Sequence, residues 1–284
     1  MDGWFKALDA RDGRLLWQFK TGSGIIGQPT TYKGPDGHQY IAILSGVGGW
    51  SGAVVSGDLD PRDGTAALGF VNAMAAVCEE VGADVSDVVR GMGLDRRIGD
   101  RFLVPGPGWG GSCFPKDSHA LVRIAENSGY QFGLLRQVIA VNEEQFGRVA
   151  NKIARLVGGS VEGRRIAVWG LTFKAHTDDL RDSPSLNIIN RLLEVGAVVR
   201  AYDPSHPDAA DPRLEGIDVV DDPIAAAADA EVLVVLTEWP EFREVDLGAL
   251  GGAMATRQVV DARNLLDRDA LKDLGFTYDG IGRR

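Results

Sequence analysis

The chain has 284 residues, of which 44% are hydrophobic and 25% charged, as is typical of a globular protein of about two domains. Its formal net charge of −10 at pH 7 argues against nucleic acid and anionic membranes as partners. Two cysteines in this length exclude a disulfide-rich scaffold. Because the first residues lack a signal-peptide pattern and no apolar run approaches the roughly 18 residues of a spanning helix, we expect a cytoplasmic protein.

Residues 1–67 are predicted to form short strands separated by turns. Apolar and aromatic runs at 4–8, 14–19 and 39–44 alternate with glycine-rich turn formers, and no glutamate occurs in residues 1–70. The segment 7–17, ALDARDGRLLW, resembles the tryptophan-docking repeat of quinoprotein (PQQ) alcohol dehydrogenase propellers, and the likeness runs to Asp63, as at the C-terminal end of a methanol dehydrogenase. Because a propeller needs several blades, we expect a blade-like fragment without quinone chemistry.

Helical periodicity begins near Phe70. Apolar residues three and four apart predict helices from Phe70 to about Gly82, over 85–92, over 118–127 and, as a long amphipathic helix, over 134–157, with a loop over 95–117. We assign residues 68–160 to this central helical domain. Cys78 lies on the apolar stripe of its helix, so we expect it in the core.

Strands and helices alternate in the rest of the chain. Helices are predicted over 185–195 and after Pro223, and apolar strands over 165–169, 198–202, 232–236, 258–261 and 276–278. This alternation is typical of an α/β fold with a doubly wound parallel sheet that is covered on both faces. We assign this domain to residues 161–284.

The loop before the helix at 118–127 carries the candidate chemistry. Four glycines within 106–111 give a backbone that a ligand can approach closely, and Cys113 follows at the start of the helix. The partial positive charge of a helix N-terminus and the nearby Lys116 both favour a thiolate, so we expect a reactive cysteine. The alternative from the residues alone is a buried cysteine in a glycine-rich loop.

The loop sequence GPGWGGSCFPKD, residues 106–117, closely resembles the active-site loop of the UDP-glucose/GDP-mannose dehydrogenase family. The resemblance extends from about residue 70 to 284 and includes GLTFK at 170–174, TDDLRDSPS at 177–185, YDP at 202–204, TEW at 237–239 and DARN at 261–264. The ending YDGIG at 278–282 fits the UDP-glucose branch. Another UDP-sugar dehydrogenase, such as a UDP-N-acetylmannosamine type, stays as an alternative.

This resemblance implies an NAD-dependent oxidation of UDP-glucose to UDP-glucuronate. The thiolate of Cys113 attacks a C6 aldehyde, and the thiohemiacetal that forms is oxidised to a thioester, which water hydrolyses with help from Asp117. The implied substrate contacts are the backbone amides of Phe102, Leu103, Val104, Pro105, Gly106 and Gly110, and the side chains of Lys174 and Arg263, with Arg97 reaching the substrate of a neighbouring subunit. Lys116 and Arg181 are implied to contact NAD.

The resemblance also implies a homodimer formed through the central long helix. The spacing of His119 and His176 does not indicate a metal site, so we predict none.

Residues 1–70 do not resemble the N-terminal NAD domain of this family. Gly22, Gly24 and Gly27 have GxGxxG spacing, but no helix pattern follows and no acidic residue closes a second strand. We therefore expect UDP-sugar binding, incomplete catalysis by this chain alone, and a fusion or mis-joined gene with its seam near Phe70. A non-catalytic UDP-sugar-binding and dimerising module, and a quinoprotein fragment, are the alternatives from other classes.

Overall fold

The computed structural model describes residues 65–94 and 103–283, and four strands within residues 1–42. The chain divides into two compact units, Met1–Thr65 and Ala66–Arg284. In the first unit, two antiparallel pairs form from β1 (Trp4–Leu8) with β2 (Leu15–Lys20) and from β3 (Thr30–Lys33) with β4 (Gln39–Ala42). The predicted run 4–8 matches β1, and the predicted runs 14–19 and 39–44 match β2 and β4 with slightly different ends, whereas β3 was not predicted.

The second unit begins with four helices, which are α1 (Thr65–Val81), α2 (Val85–Gly93), α3 (Phe114–Asn127) and α4 (Gly133–Leu156). The predicted loop over 95–117 is too long at its end, because α3 starts at Phe114 rather than at Ser118. Pro115 lies in the first turn, where the missing N–H breaks no hydrogen bond and the fixed φ suits a helix. Cys113 is therefore the residue that immediately precedes the helix.

A six-stranded parallel sheet forms the rest of the unit, in the order β10-β9-β8-β5-β6-β7. Its strands are β5 (Arg165–Trp169), β6 (Val198–Tyr202), β7 (Ile217–Val219), β8 (Val232–Val235), β9 (Gln258–Asp261) and β10 (Thr277–Gly280). The helices that flank it are α5 (Pro184–Glu194), α6 (Pro223–Ala227), α7 (Leu247–Ala253) and α8 (Arg268–Asp273). The predicted α/β fold with a parallel sheet is confirmed.

Both faces of the sheet are buried. On one face, Val168 and Val234 pack in the same core as Phe146 and Ile153 of α4. On the other face, Trp169 joins a second core that includes residues of α7 and α8. Since α4 and the sheet share a continuous core, the helices and the sheet of this unit are held in one arrangement.

A buried ion cluster adds a second link between the helices and the sheet. Lys152 of α4 is only 4% exposed, and its Nζ lies 2.9 Å from Glu79 of α1 and 2.8 Å from Asp279 of β10. Arg155 also contacts Asp279, at 2.6 Å. A buried lysine needs such partners, because an unpaired charge away from water is costly.

Within the described ranges, no helix has the length and apolar character needed to cross a membrane. In the same part of the chain, no group of three or more His, Cys, Asp or Glu side chains is arranged to hold a metal ion.

Candidate active site

The sheet has its topological switch point between β5 and β8. From β5 the chain continues to β6 and β7 on one side, and it then returns to β8 on the other side. Loops that leave neighbouring strands in opposite directions open a crevice at the carboxyl ends, which is where open α/β sheets bind ligands. The loops after β5 and β8 approach closely at Gly170, where a Cβ would lie 2.6 Å from the Thr237 nitrogen. The φ of Gly170, +97°, also favours glycine.

Buried amide side chains hold the loop that precedes Cys113. The Gly106 N–H donates to Asn72 Oδ1 at 2.9 Å, and Gln145 Nε2 donates to the Gly106 carbonyl at 2.7 Å. Asn142 binds both backbone groups of Trp109, accepting from its N–H at 2.7 Å and donating to its carbonyl at 2.9 Å. The loop is thus attached to α1 and α4 by its backbone, which leaves its conformation independent of most of its side chains.

The glycines of this loop lie where it touches the C-terminal domain. A Cβ on Gly106 would lie 3.3 Å from the guanidinium of Arg263, and one on Gly111, whose φ is +88°, would lie 2.9 Å from the Phe173 ring. A Cβ on Gly110 would overlap the carbonyl oxygen of Asp182. We expected these glycines to allow close approach of a ligand, and in the structure they allow close approach of the C-terminal domain.

Cys113 is exposed at the end of this loop. The Asp117 N–H donates to the Cys113 carbonyl at 2.9 Å, so the thiol stands at the first turn of α3. The alternative of a buried Cys113 is therefore wrong. Cys78, in contrast, is 2% exposed, as predicted, and burial is the main reason why the pKa of its thiol is raised.

Two exposed cations lie near Cys113. Lys116 pairs with Asp117 at 2.5 Å, and Arg181 makes a two-bond contact with Asp179 at 2.9 and 2.8 Å. The pKa of each cation is raised, first by its carboxylate partner and to a smaller extent by the negative charge that Cys113 can carry. The two cations and the sulfur therefore share one electrostatic environment.

Comparison with known proteins adds to this geometry. Two models of the UDP-glucose/GDP-mannose dehydrogenase family match, the central domain over residues 65–144 and the UDP binding domain over residues 167–268. The UDP-glucose 6-dehydrogenase of Rhizobium meliloti (strain 1021) is 46% identical over 214 residues, which are 75% of this chain and 49% of that protein. The chain belongs to the UDP-glucose/GDP-mannose dehydrogenase family.

Solved structures of this family are similar to the chain over the same region. A UDP-glucose dehydrogenase from the hyperthermophilic archaeon Pyrobaculum islandicum has a TM-score of 0.68 at 31% identity, covering 78% of this chain and 48% of that one. A UDP-D-ManNAc dehydrogenase from Pyrococcus horikoshii has a TM-score of 0.65 at 26% identity, covering 82% and 52%. The chain thus spans about half the length of the family members that it matches.

The structure brings several of the expected family residues together. Arg263 donates from Nε to the Leu236 carbonyl at 2.8 Å, pairs with Glu238 at 3.1 Å and faces Gly106 across the crevice. The Lys174 ammonium lies 5.3 Å from the centre of the Phe173 ring, which covers Gly111. Arg263, after β9, therefore lies against Gly106 of the cysteine loop, whereas Lys174, after β5, lies over the ring that contacts Gly111.

The side chains of the loop residues before Gly106 differ in exposure. Leu103 is buried at 4% exposure, and Pro105 is buried as well, so these two can meet a ligand through backbone groups only. Val104 is 42% exposed. Arg97 and Phe102 lie outside the described residues.

The residues that hold the site in shape were not predicted from the sequence. Asn72, Asn142 and Gln145 anchor the loop, and Asp203 joins the ends of three strands. The available signal was a polar residue on the apolar stripe of a helix, since a buried amide needs a hydrogen-bond partner. Their partners lie more than 30 residues away in the sequence, so this signal alone does not show what they bind.

Proposed function

We propose that this chain binds the UDP moiety of a UDP-sugar in the switch-point crevice and presents Cys113 as the nucleophile of a UDP-glucose 6-dehydrogenase reaction. The observation that carries the proposal is an exposed thiol at the start of α3, on a loop that packs against Phe173 and Arg263 of the crevice. Because the chain covers 49% of its Rhizobium relative, the reaction of the whole enzyme is part of the proposal.

Recognition of the UDP-sugar rests on charge and on backbone groups. Lys174 and Arg263 place two cations at the crevice, which suits a diphosphate. Loop residues from Phe102 to Gly106, and Gly110, contribute backbone contacts to the sugar and the phosphates, and Arg97 reaches the substrate of a partner subunit. Glu238 pairs with the Arg263 guanidinium at 3.1 Å and so helps to fix its position in the crevice.

Cys113, just before α3, and Asp117, in its first turn, have separate roles in the chemistry. The Cys113 sulfur bonds to the aldehyde carbon at C6, giving a thiohemiacetal, and oxidation of this adduct leaves a thioester. Water then cleaves the carbon–sulfur bond to release the carboxylate and the free thiol. Asp117, one turn along the helix, positions that water.

NAD⁺, when bound, supplies the oxidant, with one hydride taken up for each of the two oxidations. Lys116 and Arg181 would hold it, because their side chains are 72% and 63% exposed and both lie near Cys113, which fits an anionic dinucleotide.

Calorimetric titration with UDP-glucose tests the binding half of the proposal. We expect the full chain and its Cys113→Ser variant to bind alike, and Lys174→Ala and Arg263→Ala to bind more weakly because the diphosphate loses a cation. Lys272→Ala, at an exposed lysine of α8, is the matched control and should bind like the unmodified chain. Failure of both the unmodified chain and Cys113→Ser to bind would defeat the assignment. Competition with UDP-N-acetylmannosamine decides between the two substrates.

Alkylation with iodoacetamide tests the role of Cys113. Cys78 is an internal control in the same sample, since it is buried and its pKa is raised. We expect Cys113 to be labelled much faster than Cys78 and UDP-glucose to slow the labelling of Cys113 only. Equal labelling of both cysteines, or no protection of Cys113 by bound UDP-glucose, would contradict the proposed role.

The homodimer through the long helix is a further part of this proposal. Large apolar side chains are exposed on α3 and at the start of α4, with Ile124 at 62% and Leu134 at 73%, and a second subunit would cover them. Sedimentation equilibrium should give a dimer for the unmodified chain and a smaller species for Leu134→Glu. A monomer at all concentrations would contradict the proposed homodimer.

The first 67 residues are proposed to be a propeller-like fragment joined to the dehydrogenase part. The antiparallel pairs β1–β2 and β3–β4 support this reading, as does the start of the central-domain match at residue 65. Sequencing the native gene across residues 60–80 tests the fusion, and an uninterrupted dehydrogenase reading frame there would remove it. The cytoplasm stays the proposed location, on the basis of the composition alone.

A further inference from the structure

A single buried carboxylate connects the ends of three neighbouring strands beside the crevice. Asp203 directly follows β6 and is 1% exposed. Its Oδ2 accepts from the backbone N–H groups of Leu171 at 2.6 Å and Thr172 at 3.0 Å, and from Trp239 Nε1 at 3.3 Å. Leu171 and Thr172 follow β5, and Trp239 follows β8, so this oxygen bridges the switch point.

The two remaining donors to Asp203 come from the loops after β5 and β6. The Thr172 hydroxyl donates to Oδ2 at 3.2 Å, and the Ser205 N–H donates to Oδ1 at 2.9 Å. All five donors are neutral N–H or O–H groups. A carboxylate accepts several such bonds at once, and each is stronger than a bond between two neutral groups. This gives a connection that a neutral side chain of the same shape cannot reproduce.

From this carboxylate, a short series of contacts leads to the thiol. Thr172 is followed by Phe173, whose ring lies against Gly111, and the Lys174 ammonium lies over the same ring. Gly111 also donates to the Asp182 carbonyl at 3.2 Å, and it precedes Cys113 by two residues. The conformation of the loop after β5 therefore determines where both Lys174 and the cysteine loop lie.

We propose that Asp203 is a positioning residue of this site, which fixes the loops after β5 and β8 so that Lys174 and Cys113 face the same ligand. This inference rests on the proposed function for the identity of the ligand. Asp203 does not itself contact the ligand, because it lies beneath the loops and is buried.

The variant Asp203→Asn tests this role, because it keeps the shape and removes the charge. The side-chain NH₂ of the asparagine would also face an N–H donor, either that of Ser205 or one in the loop after β5. We expect the dissociation constant for UDP-glucose to rise about tenfold, as for the loss of one charge-assisted hydrogen bond. Asp279→Asn is the matched control, since Asp279 is also a buried carboxylate at the end of a strand but lies on β10 in the ion cluster.

Two substitutions of Thr172, one of the donors to Asp203, test whether the hydroxyl alone restores ligand binding. Thr172→Val has nearly the same shape but no hydroxyl, whereas Thr172→Ser keeps the hydroxyl that donates to Asp203. We expect the valine variant to weaken UDP-glucose binding a few-fold and the serine variant to bind like the unmodified chain. Equal binding by Asp203→Asn and the unmodified chain would overturn the proposal.

Amide hydrogen exchange on the full chain tests the coupling without any ligand. In Asp203→Asn, exchange should rise at residues 171–173 and also at 110–113, whereas Asp279→Asn should leave both segments unchanged. A rise confined to 171–173 would refute the coupling to the cysteine loop, and a rise throughout the domain would show a general loss of stability instead of positioning. If exchange behaves as expected and UDP-glucose does not bind the unmodified chain, the positioning role stands and the proposed ligand is wrong.

Discussion

A methyl group on Gly110 would test how the cysteine loop is held against the sheet. A Cβ built there overlaps the Asp182 carbonyl oxygen and lies 2.8 Å from Pro184 Cδ. Because these atoms belong to the backbone and to a proline ring, no side-chain rotation relieves the overlap, and the loop has to move. Such overpacking costs about 1–3 kcal/mol. Losing the bond from the Gly111 N–H to Asp182 adds about 1 kcal/mol, for a total of about 2–4 kcal/mol.

Urea unfolding followed by far-UV circular dichroism measures this loss, with Gly147→Ala as the control. Gly147 lies inside α4 with nothing within 4 Å of its Cβ position, so alanine there should raise the free energy of unfolding by about 0.5–1 kcal/mol. We also expect Gly110→Ala to reduce the protection of Cys113 by UDP-glucose. A Gly110→Ala variant with unchanged stability and full protection would refute the contact between loop and sheet.

Three further predictions concern backbone strain, charge burial and pH dependence. Gly111→Ala should lower the urea midpoint more than Gly129→Ala, because both have positive φ, +88° and +83°, but only Gly111 faces an aromatic ring, 2.9 Å away. Lys152→Met should cost about 3 kcal/mol, because Glu79 and Asp279 lose the buried cation that they share and keep only Arg148 and Arg155, whereas Arg164→Ala, at an exposed pair, should cost under about 1 kcal/mol. Burial raises the pKa of the Asp261 carboxyl in the folded state. The contribution of Asp261 to stability is therefore present below its unfolded-state pKa of about 4 and is lost as the pH rises through its folded-state pKa. The urea midpoint of the unmodified chain should therefore exceed that of the Asp261→Asn variant by more at pH 4 than at pH 8.

The strands of the sheet differ in how readily the sequence reveals them. β5 and β8 are continuous apolar runs because both of their faces are buried, and the pattern predicts them. β7 has three residues with an exposed centre, which is too short for a periodic signal. α7 has the sequence LGALGGA, and its glycines lower the helix propensity below what a pattern search accepts, so burial of Leu250 has to stabilise it.

Local patterns predict single elements of the site, and they do not predict its supports. Cys113 follows from a long and specific loop motif. Asn142, in contrast, lies on the buried face of α4, and its partner, Trp109, is 33 residues away in the sequence. Asp203 likewise binds Leu171, 32 residues earlier. Such pairs depend on how the helices and strands pack, which hydrophobic periodicity does not specify.

The arrangement of the loop has a consequence for what this chain can do. On one side, buried amides of α1 and α4 hold the loop; on the other, Phe173, Asp182 and Arg263 enclose its glycines. All of these groups belong to the unit Ala66–Arg284, whose helices and sheet share one core. The position of the thiol relative to the crevice therefore does not depend on a dinucleotide domain. The proposed binding of a UDP-sugar and its effect on Cys113 can therefore be measured on this chain separately from the proposed hydride transfer, so a failure of either step can be assigned to its own part of the proposal.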